Sequence, residues 1–339
     1  MPFLRFFLLG STIPLLALLL LGIYLQPLSG DLARLGNYSE RSWGWNRDQP
    51  AIHVRPNDPQ LDAQVIVIGD SFSELNMWQS VAADRLGQSF LTFHWSDIGD
   101  PACLPAAIAA LKRRYAGAQT VVIELVERSF LRRFENSGTR PAKCVGNIST
   151  SIHSKEESSQ VRRSRYVNPM PDPVYAIRAF LADLANHQGA ISSTQTSIVP
   201  LDREDLFSNK ESGKLLFINE DLVKGEWRPE QIDHCIRSIS KLSKLEQELD
   251  IAIVLAVVPD KTTTYSGFIK NQVVPRAPSD IWSALNAAGV SSVDLNGLFR
   301  MKVGGSVDFY LPDDTHLGSR GYIAMGETIA QDIARRLVR

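Results

Sequence analysis

The chain has 339 residues, 44% of them hydrophobic, with 36 basic against 37 acidic side chains and a formal charge of −1. That length allows one large or two medium domains around a sizeable core. The balance of charge leaves no basic excess of the kind that meets a nucleic-acid backbone, so no nucleic-acid partner is expected. The three cysteines, Cys103, Cys144 and Cys235, show no zinc-binding spacing with histidine.

In chain order, Phe6 to Leu25 is an apolar stretch without a charge, long enough to cross a bilayer as a helix. Arg5 and the terminal amine precede it, which favours that end in the cytoplasm. No Ala-x-Ala cleavage site follows, so an uncleaved single-pass anchor is expected, with a cleaved signal peptide as the alternative. Residues 30–60 are polar and irregular and read as a linker and lead-in. The pattern then changes. Val65–Ile68 is a strand, Ser73–Leu86 a helix, Phe90–Trp95 a short strand, Pro105–Arg114 a helix and Thr120–Val126 a central strand. Residues 131–228 are charged and rich in Ser and Asn. They read as an insertion holding a helix at Asp172–Asn186, a short strand at Lys214–Ile218 and a solvated basic cluster at Arg162, Arg163 and Arg165.

The alternation returns with a helix at Pro229–Leu249 and the continuous apolar strand Ile251–Val258. A helix at Ile281–Ala288, a strand at Val290–Leu295, a short run at Val307–Leu311 and a closing helix at Ser319–Leu337 complete it. Strand–helix alternation predicts an α/β fold, a parallel sheet with helices on both faces. Sites in such sheets form at the carboxyl ends of strands. A Cys103–Cys144 disulfide would tie the loop after the first βα unit to the segment beyond Thr120–Val126, leaving Cys235 over.

Two segments carry chemistry. Gly69-Asp70-Ser71-Phe72-Ser73 closes the first body strand and places Ser71 at a helix start, where free N–H groups favour an oxyanion. Taken alone, it also reads as a turn with an N-cap. Asp313-Asp314-Thr315-His316 precedes the last helix and supplies a base and two carboxylates. Together they provide a nucleophile, a base and an orienting group.

On these motifs, and on Val258-Pro259-Asp260-Lys261 with Tyr265, the chain resembles the SGNH/GDSL-type hydrolases. More narrowly, it resembles the alginate O-acetyltransferase group of polysaccharide O-acetyltransferases. The resemblance implies a three-layer SGNH-like catalytic domain over residues 61–339, following an anchor or signal at 1–29. It implies Ser71 as nucleophile, His316 as base, and either Asp314 or Asp313 as the orienting carboxylate. In the alginate group the Asp-x-His element precedes the serine, whereas here it follows, in the ordinary SGNH order. The superfamily's Gly-x-Asn block is replaced by Glu127-Arg128-Ser129. Arg128 reads either as a positive group at the oxyanion or as a structural ion-pair partner, and Gly99 either as an oxyanion N–H donor or as a turn. The resemblance puts Lys261 and Tyr265 near the acceptor or carbonyl.

The expected function is O-acyl transfer, in particular O-acetyl transfer, to an envelope or secreted polysaccharide through an acyl-Ser71 intermediate. The enzyme would sit in the inner membrane with its body in the periplasm, beside a multi-spanning membrane acyltransferase as acyl donor. An envelope esterase and a non-catalytic polysaccharide-assembly protein are the alternatives. No nucleotide fingerprint is present, and no cofactor is expected.

Overall fold

Runs of Val, Ile and Leu too long to be half-buried become strands enclosed on both faces. The computed structural model describes residues 2–25, 30–135, 195–272 and 274–337, and between 135 and 195 only 144, 148–152, 157–159, 174, 177–178 and 181. Strands β1 (Ile52–Val54), β2 (Val65–Gly69), β3 (Phe90–His94), β4 (Thr120–Val126), β5 (Glu157–Ser159), β6 (Thr196–Pro200), β7 (Lys214–Ile218) and β8 (Ala252–Val258) follow in chain order. The central sheet is parallel, in the order β3-β2-β4-β8, and Ser292 bridges to Leu255 beyond β8.

Alternate strand residues feed two cores. Val65, Val67, Val122, Val254 and Ala256 pack with Trp78, Phe299, Met325 and Ile329 from helices Met77–Leu86, Leu295–Val303 and Ser319–Leu337. On the other face, Ile66, Ile68, Ile123 and Leu255 pack with Ile108, Ile236 and Leu285 from helices Leu104–Arg114, Pro229–Ser240 and Ile281–Ala287. The expected α/β, helix–sheet–helix architecture is present.

Several boundaries differ from expectation for local reasons. The helix expected over Ser73–Leu86 is two pieces, Ser71–Glu74 and Met77–Leu86, because Asn76 takes a left-handed conformation with φ 52°. Pro229–Leu249 divides at Lys241. Val290–Leu295 is reduced to the Ser292 bridge, since Asp294 accepts from Gly297 N at 2.8 Å and caps a helix already starting at Leu295. Val307–Leu311 forms a single antiparallel bridge, Tyr310 with Leu317. Within the expected insertion, β6 and β7 form an antiparallel hairpin. Most of the helix expected at Asp172–Asn186, and all of the Arg162–Arg165 cluster, lie outside the described residues.

The segment read as a linker is instead structured. Asp31–Gly36 and Glu40–Trp43 are short helices. Leu32, Ala33 and Trp43 from these helices, with Tyr38 from the turn between them, bury against Leu216 of β7, so apolar side chains scattered through a polar stretch suffice to dock it. We call residues 30–43 the strap.

Pro2–Leu25 is helical, with Phe3, Phe6, Phe7, Leu15, Leu16 and Leu20 exposed. Among the described residues no helix is long and apolar enough to cross a membrane. The span expected at Phe6–Leu25 includes residues whose side chains lie outside the described set.

Candidate active site

The carboxyl ends of the central strands deliver polar side chains to one edge of the sheet: His94 from β3, Ser71 just beyond β2, Arg128 beyond β4 and Lys261 beyond β8. The turn after β2 is tight. A Cβ on Gly69 would come within 2.2 Å of Ser73 Oγ and 2.8 Å of Glu124 Oε2, so the position admits only glycine without rearrangement. Asp70 then caps the Ser71–Glu74 turn by accepting from Phe72 N at 3.1 Å, and ties it to β4 by accepting from Val126 N at 2.8 Å. Ser71 is the first residue of that turn, so its N–H has no intrahelical acceptor.

Ser71 Oγ lies 2.9 Å from His316 Nε2, and His316 Nδ1 lies 2.7 Å from Asp314 Oδ1. Asp314 Oδ1 also accepts from His316 N at 2.9 Å, and its Oδ2 accepts from Asp31 N at 3.2 Å. The imidazole rests on Phe72, ring centres 5.0 Å apart, and Phe72 is backed by Tyr310. Burial pushes the Asp314 carboxyl up, but the hydrogen bond and charge of His316, with the two backbone donors, outweigh it and take it down to about 2. Burial alone would lower His316; the hydrogen bond and charge of Asp314, with the charges of Asp31 and Asp70, raise it above the ordinary imidazole value.

The choice between the two aspartates falls to geometry. Asp314 is on the imidazole, at Asp-x-His spacing. Asp313 points the other way, toward Gly30, where a Cβ would come within 2.6 Å of its Cγ. Fully buried, and close to Glu40 and Asp314, Asp313 titrates well above an ordinary carboxylate.

The remaining sequence-selected residues take other places. Lys261 is buried and donates from Nζ to three carbonyls of the histidine loop: Leu311 at 2.7 Å, Pro312 at 3.1 Å and Asp314 at 3.1 Å. Burial lowers its pKa to about 8 against the charges of Asp313 and Asp314. Tyr265 is also buried, and its hydroxyl accepts from Tyr310 N at 3.2 Å. Both therefore support the loop from beneath, and neither presents its polar end to an acceptor. Arg128 donates from Nη1 to Asp260 at 2.7 Å and to Asp221 at 3.3 Å, the ion-pair reading of the two that the sequence left open. Gly99 is exposed, with φ 82°, in the loop beyond β3 beside the nucleophile strand, a conformation that favours glycine.

Four contributors escaped the sequence reading. Asp31 meets the histidine loop from the strap: its Oδ1 accepts from Thr315 N at 2.8 Å and its Oδ2 from Thr315 Oγ1 at 2.5 Å. Glu124 lies under the nucleophile turn, where Oε2 accepts from Asp70 N at 3.0 Å and from Ser73 Oγ at 2.6 Å. Burial, then Asp70, pushes its carboxyl well up. Lys224 and Asp221 join Glu127, Asp260 and Arg128 in a buried ionic network, with Lys224 Nζ 2.9 Å from Asp260 and 3.1 Å from Glu127. A lone Glu inside the apolar run Thr120–Val126 was a signal for Glu124. Asp31 had none, since its partners are 283 and 284 residues away.

Asp31, Asp314 and His316 also offer ligand atoms within 4.8 Å of one another. The 2.7 Å bond between Nδ1 and Asp314 already uses the pair a cation would need.

Ser71, His316 and Asp314 thus stand in hydrogen-bonded series at the carboxyl edge of a parallel sheet, the geometry of a Ser-His-Asp triad. Residues 214–339 match the family model of the SGNH hydrolase-like domain of acetyltransferase AlgX. That segment carries Lys261, Tyr265, Asp313, Asp314 and His316; Ser71, on β2, lies outside it. No curated protein matches the chain.

Proposed function

We propose that this chain is an O-acyltransferase, in particular an O-acetyltransferase, that modifies a cell-envelope or secreted polysaccharide through an acyl-Ser71 intermediate. The observation that carries the reading is the 2.9 Å contact of Ser71 Oγ with His316 Nε2, with Asp314 on the opposite ring nitrogen at 2.7 Å. His316 takes the Ser71 proton as Oγ attacks the acyl carbonyl, then returns it to the leaving group. Asp314 fixes the tautomer that leaves Nε2 free to accept and stabilises the imidazolium. The Ser71 N–H faces the developing oxyanion, with the Gly99 N–H as a second donor, while Arg128 is taken up by Asp260 and Asp221. A sugar hydroxyl, deprotonated by His316, attacks the acyl-enzyme and carries the acyl group away. The family match supports the acetyl group, and the polysaccharide acceptor is what the motif resemblance implies.

The apolar helix Pro2–Leu25 supports a single-pass inner-membrane anchor with the body in the periplasm, residues 1–29 being the anchor and 61–339 the catalytic domain. One helix is too little to move an acyl donor across a bilayer, so a multi-spanning membrane acyltransferase is the proposed source of the acyl group.

Intact-mass measurement on the full chain in detergent, given a chromogenic acetyl ester, tests this. One acetyl group on Ser71, cleared by added glycan with acetylated glycan appearing, is the expected result. Clearance by water alone would make the protein an esterase. Absence of an adduct from folded protein would support a non-catalytic assembly role. Ser71→Ala and His316→Ala should each lose about 10²–10⁴-fold or more in rate while keeping the fold.

A further inference from the structure

The strap adds a carboxylate to the site from the far end of the chain. Asp31 faces the histidine loop with both oxygens and its own N–H: Thr315 N and Thr315 Oγ1 donate to it, and it donates to Asp314 Oδ2 at 3.2 Å. Ala33 N adds a bond to Asp313 O at 3.1 Å. The approach is close, since a Cβ on Gly30 would come within 2.1 Å of Asp313 O. Asp31 Oδ2 is 3.9 Å from His316 Nδ1, and Thr315 Oγ1, which it holds, is 3.4 Å from the same nitrogen.

We infer that Asp31 is a positioning residue of the acyl-transfer site, holding Asp314 and His316 in line with Ser71 and setting the charge around the imidazole. The inference rests on the catalytic reading of Ser71 and His316. It follows from two facts that a purely structural contact would not combine. The hydrogen bonds end on the residue between Asp314 and His316 and on Asp314 itself, so loss of the strap takes the Asp31 N–H from Oδ2 and leaves the orienting carboxylate held through Oδ1 alone. The carboxylate also lies within direct electrostatic reach of Nδ1. The charged groups facing His316 are Asp314 on its own loop, Asp31 on the strap and Asp70 at the nucleophile turn. Lys261 sits beneath, with its Nζ on the loop carbonyls.

The sign of the effect is fixed. A negative charge beside the ring favours imidazolium, so Asp31 raises the pH at which His316 becomes a free base. Asp31→Asn keeps the shape and removes the charge. In the full chain, assayed with a chromogenic acetyl ester across pH, it should move the acidic limb of kcat/KM to lower pH and lower kcat about tenfold through looser alignment. Asp31→Glu should restore the limb toward its original position. A lower thermal midpoint with an unmoved limb and an unchanged kcat would overturn the inference, leaving Asp31 as a surface tie. Should Asp31→Asn lose its fold, Thr315→Val, which removes the hydroxyl between Asp31 and the ring but keeps the charge, serves instead. A drop in kcat with an unmoved limb is expected, and an unchanged kcat would overturn the proposal. Failure of the parent chain itself to acylate Ser71 would count against the catalytic reading, a result distinct from either of these.

Discussion

Asp313 and Asp314 are neighbours with opposite electrostatic surroundings. Asp314 is held ionised by His316 and two backbone N–H groups, down to about 2. Asp313 is driven the other way by burial, Glu40 and Asp314. Asp313→Asn therefore replaces a group that already favours its neutral form and should change kcat by less than about tenfold, whereas Asp314→Asn should cost roughly 10³–10⁴-fold by freeing the wrong tautomer. Steady-state kinetics on the two variants separates them. An imidazole works as a base only when neutral, and that of His316 has its pKa raised, so on the proposed mechanism kcat/KM should fall on the acid side with a limb above the ordinary imidazole range. At this scale the sequence already held Ser71 and His316, because both sit in short motifs next to a strand or a helix. It left the aspartate open, since spacing alone does not say which way a side chain points.

Among the elements, the two loops of the site are braced from beneath by different means. The nucleophile turn relies on steric closeness, and an Ala at Gly69 should push into Ser73 and Glu124, costing about 1–3 kcal/mol and displacing Ser71. A lower unfolding midpoint together with slower acylation would check this. The histidine loop relies on a buried ammonium. Lys261→Met removes the ammonium from three carbonyls, of which Leu311 O keeps the Asp314 N–H at 3.4 Å, and at about 1–3 kcal/mol for each buried acceptor left unpaired it should destabilise by a few kcal/mol in denaturant titration. Strands β2, β4 and β8 were legible because an unbroken apolar run has few alternatives. The break at Asn76 and the shrinkage of Val290–Leu295 were not. Each depends on one residue's local choice, a left-handed backbone in the first case and an N-cap in the second. Lys261 and Tyr265 were expected to meet the acceptor or the carbonyl, whereas their polar ends turn inward under the histidine loop, a direction set by tertiary packing that no short motif encodes.

Across the whole molecule, the site is assembled from chain segments that only folding brings together. Ser71 comes from β2, His316 from the loop before the last helix, and Asp31 from the strap. The hairpin β6–β7 carries the strap through Leu216, while Lys210 N donates to Ser42 O at 3.1 Å. The strap was unreadable in the sequence because its contacts reach across nearly the whole chain. The expected Cys103–Cys144 disulfide is present, and Cys235 is buried with its thiol pushed up to about 12, which leaves it unreactive. The bridge closes a loop with a sequence separation of 41, for which chain entropy gives about 4 kcal/mol. Thermal unfolding with and without reductant should show a corresponding loss of stability.

The strap also fixes a distance. The apolar helix ends at Leu25 and Asp31 is already in contact with the histidine loop. Six residues of fully extended chain reach no farther than roughly 20 Å. If, as proposed, that helix sits in a bilayer, Ser71 would be on a short leash, confined to a thin shell above the headgroups. On the proposed function, acceptors growing at the membrane would pass within its radius, and those released into solution would not.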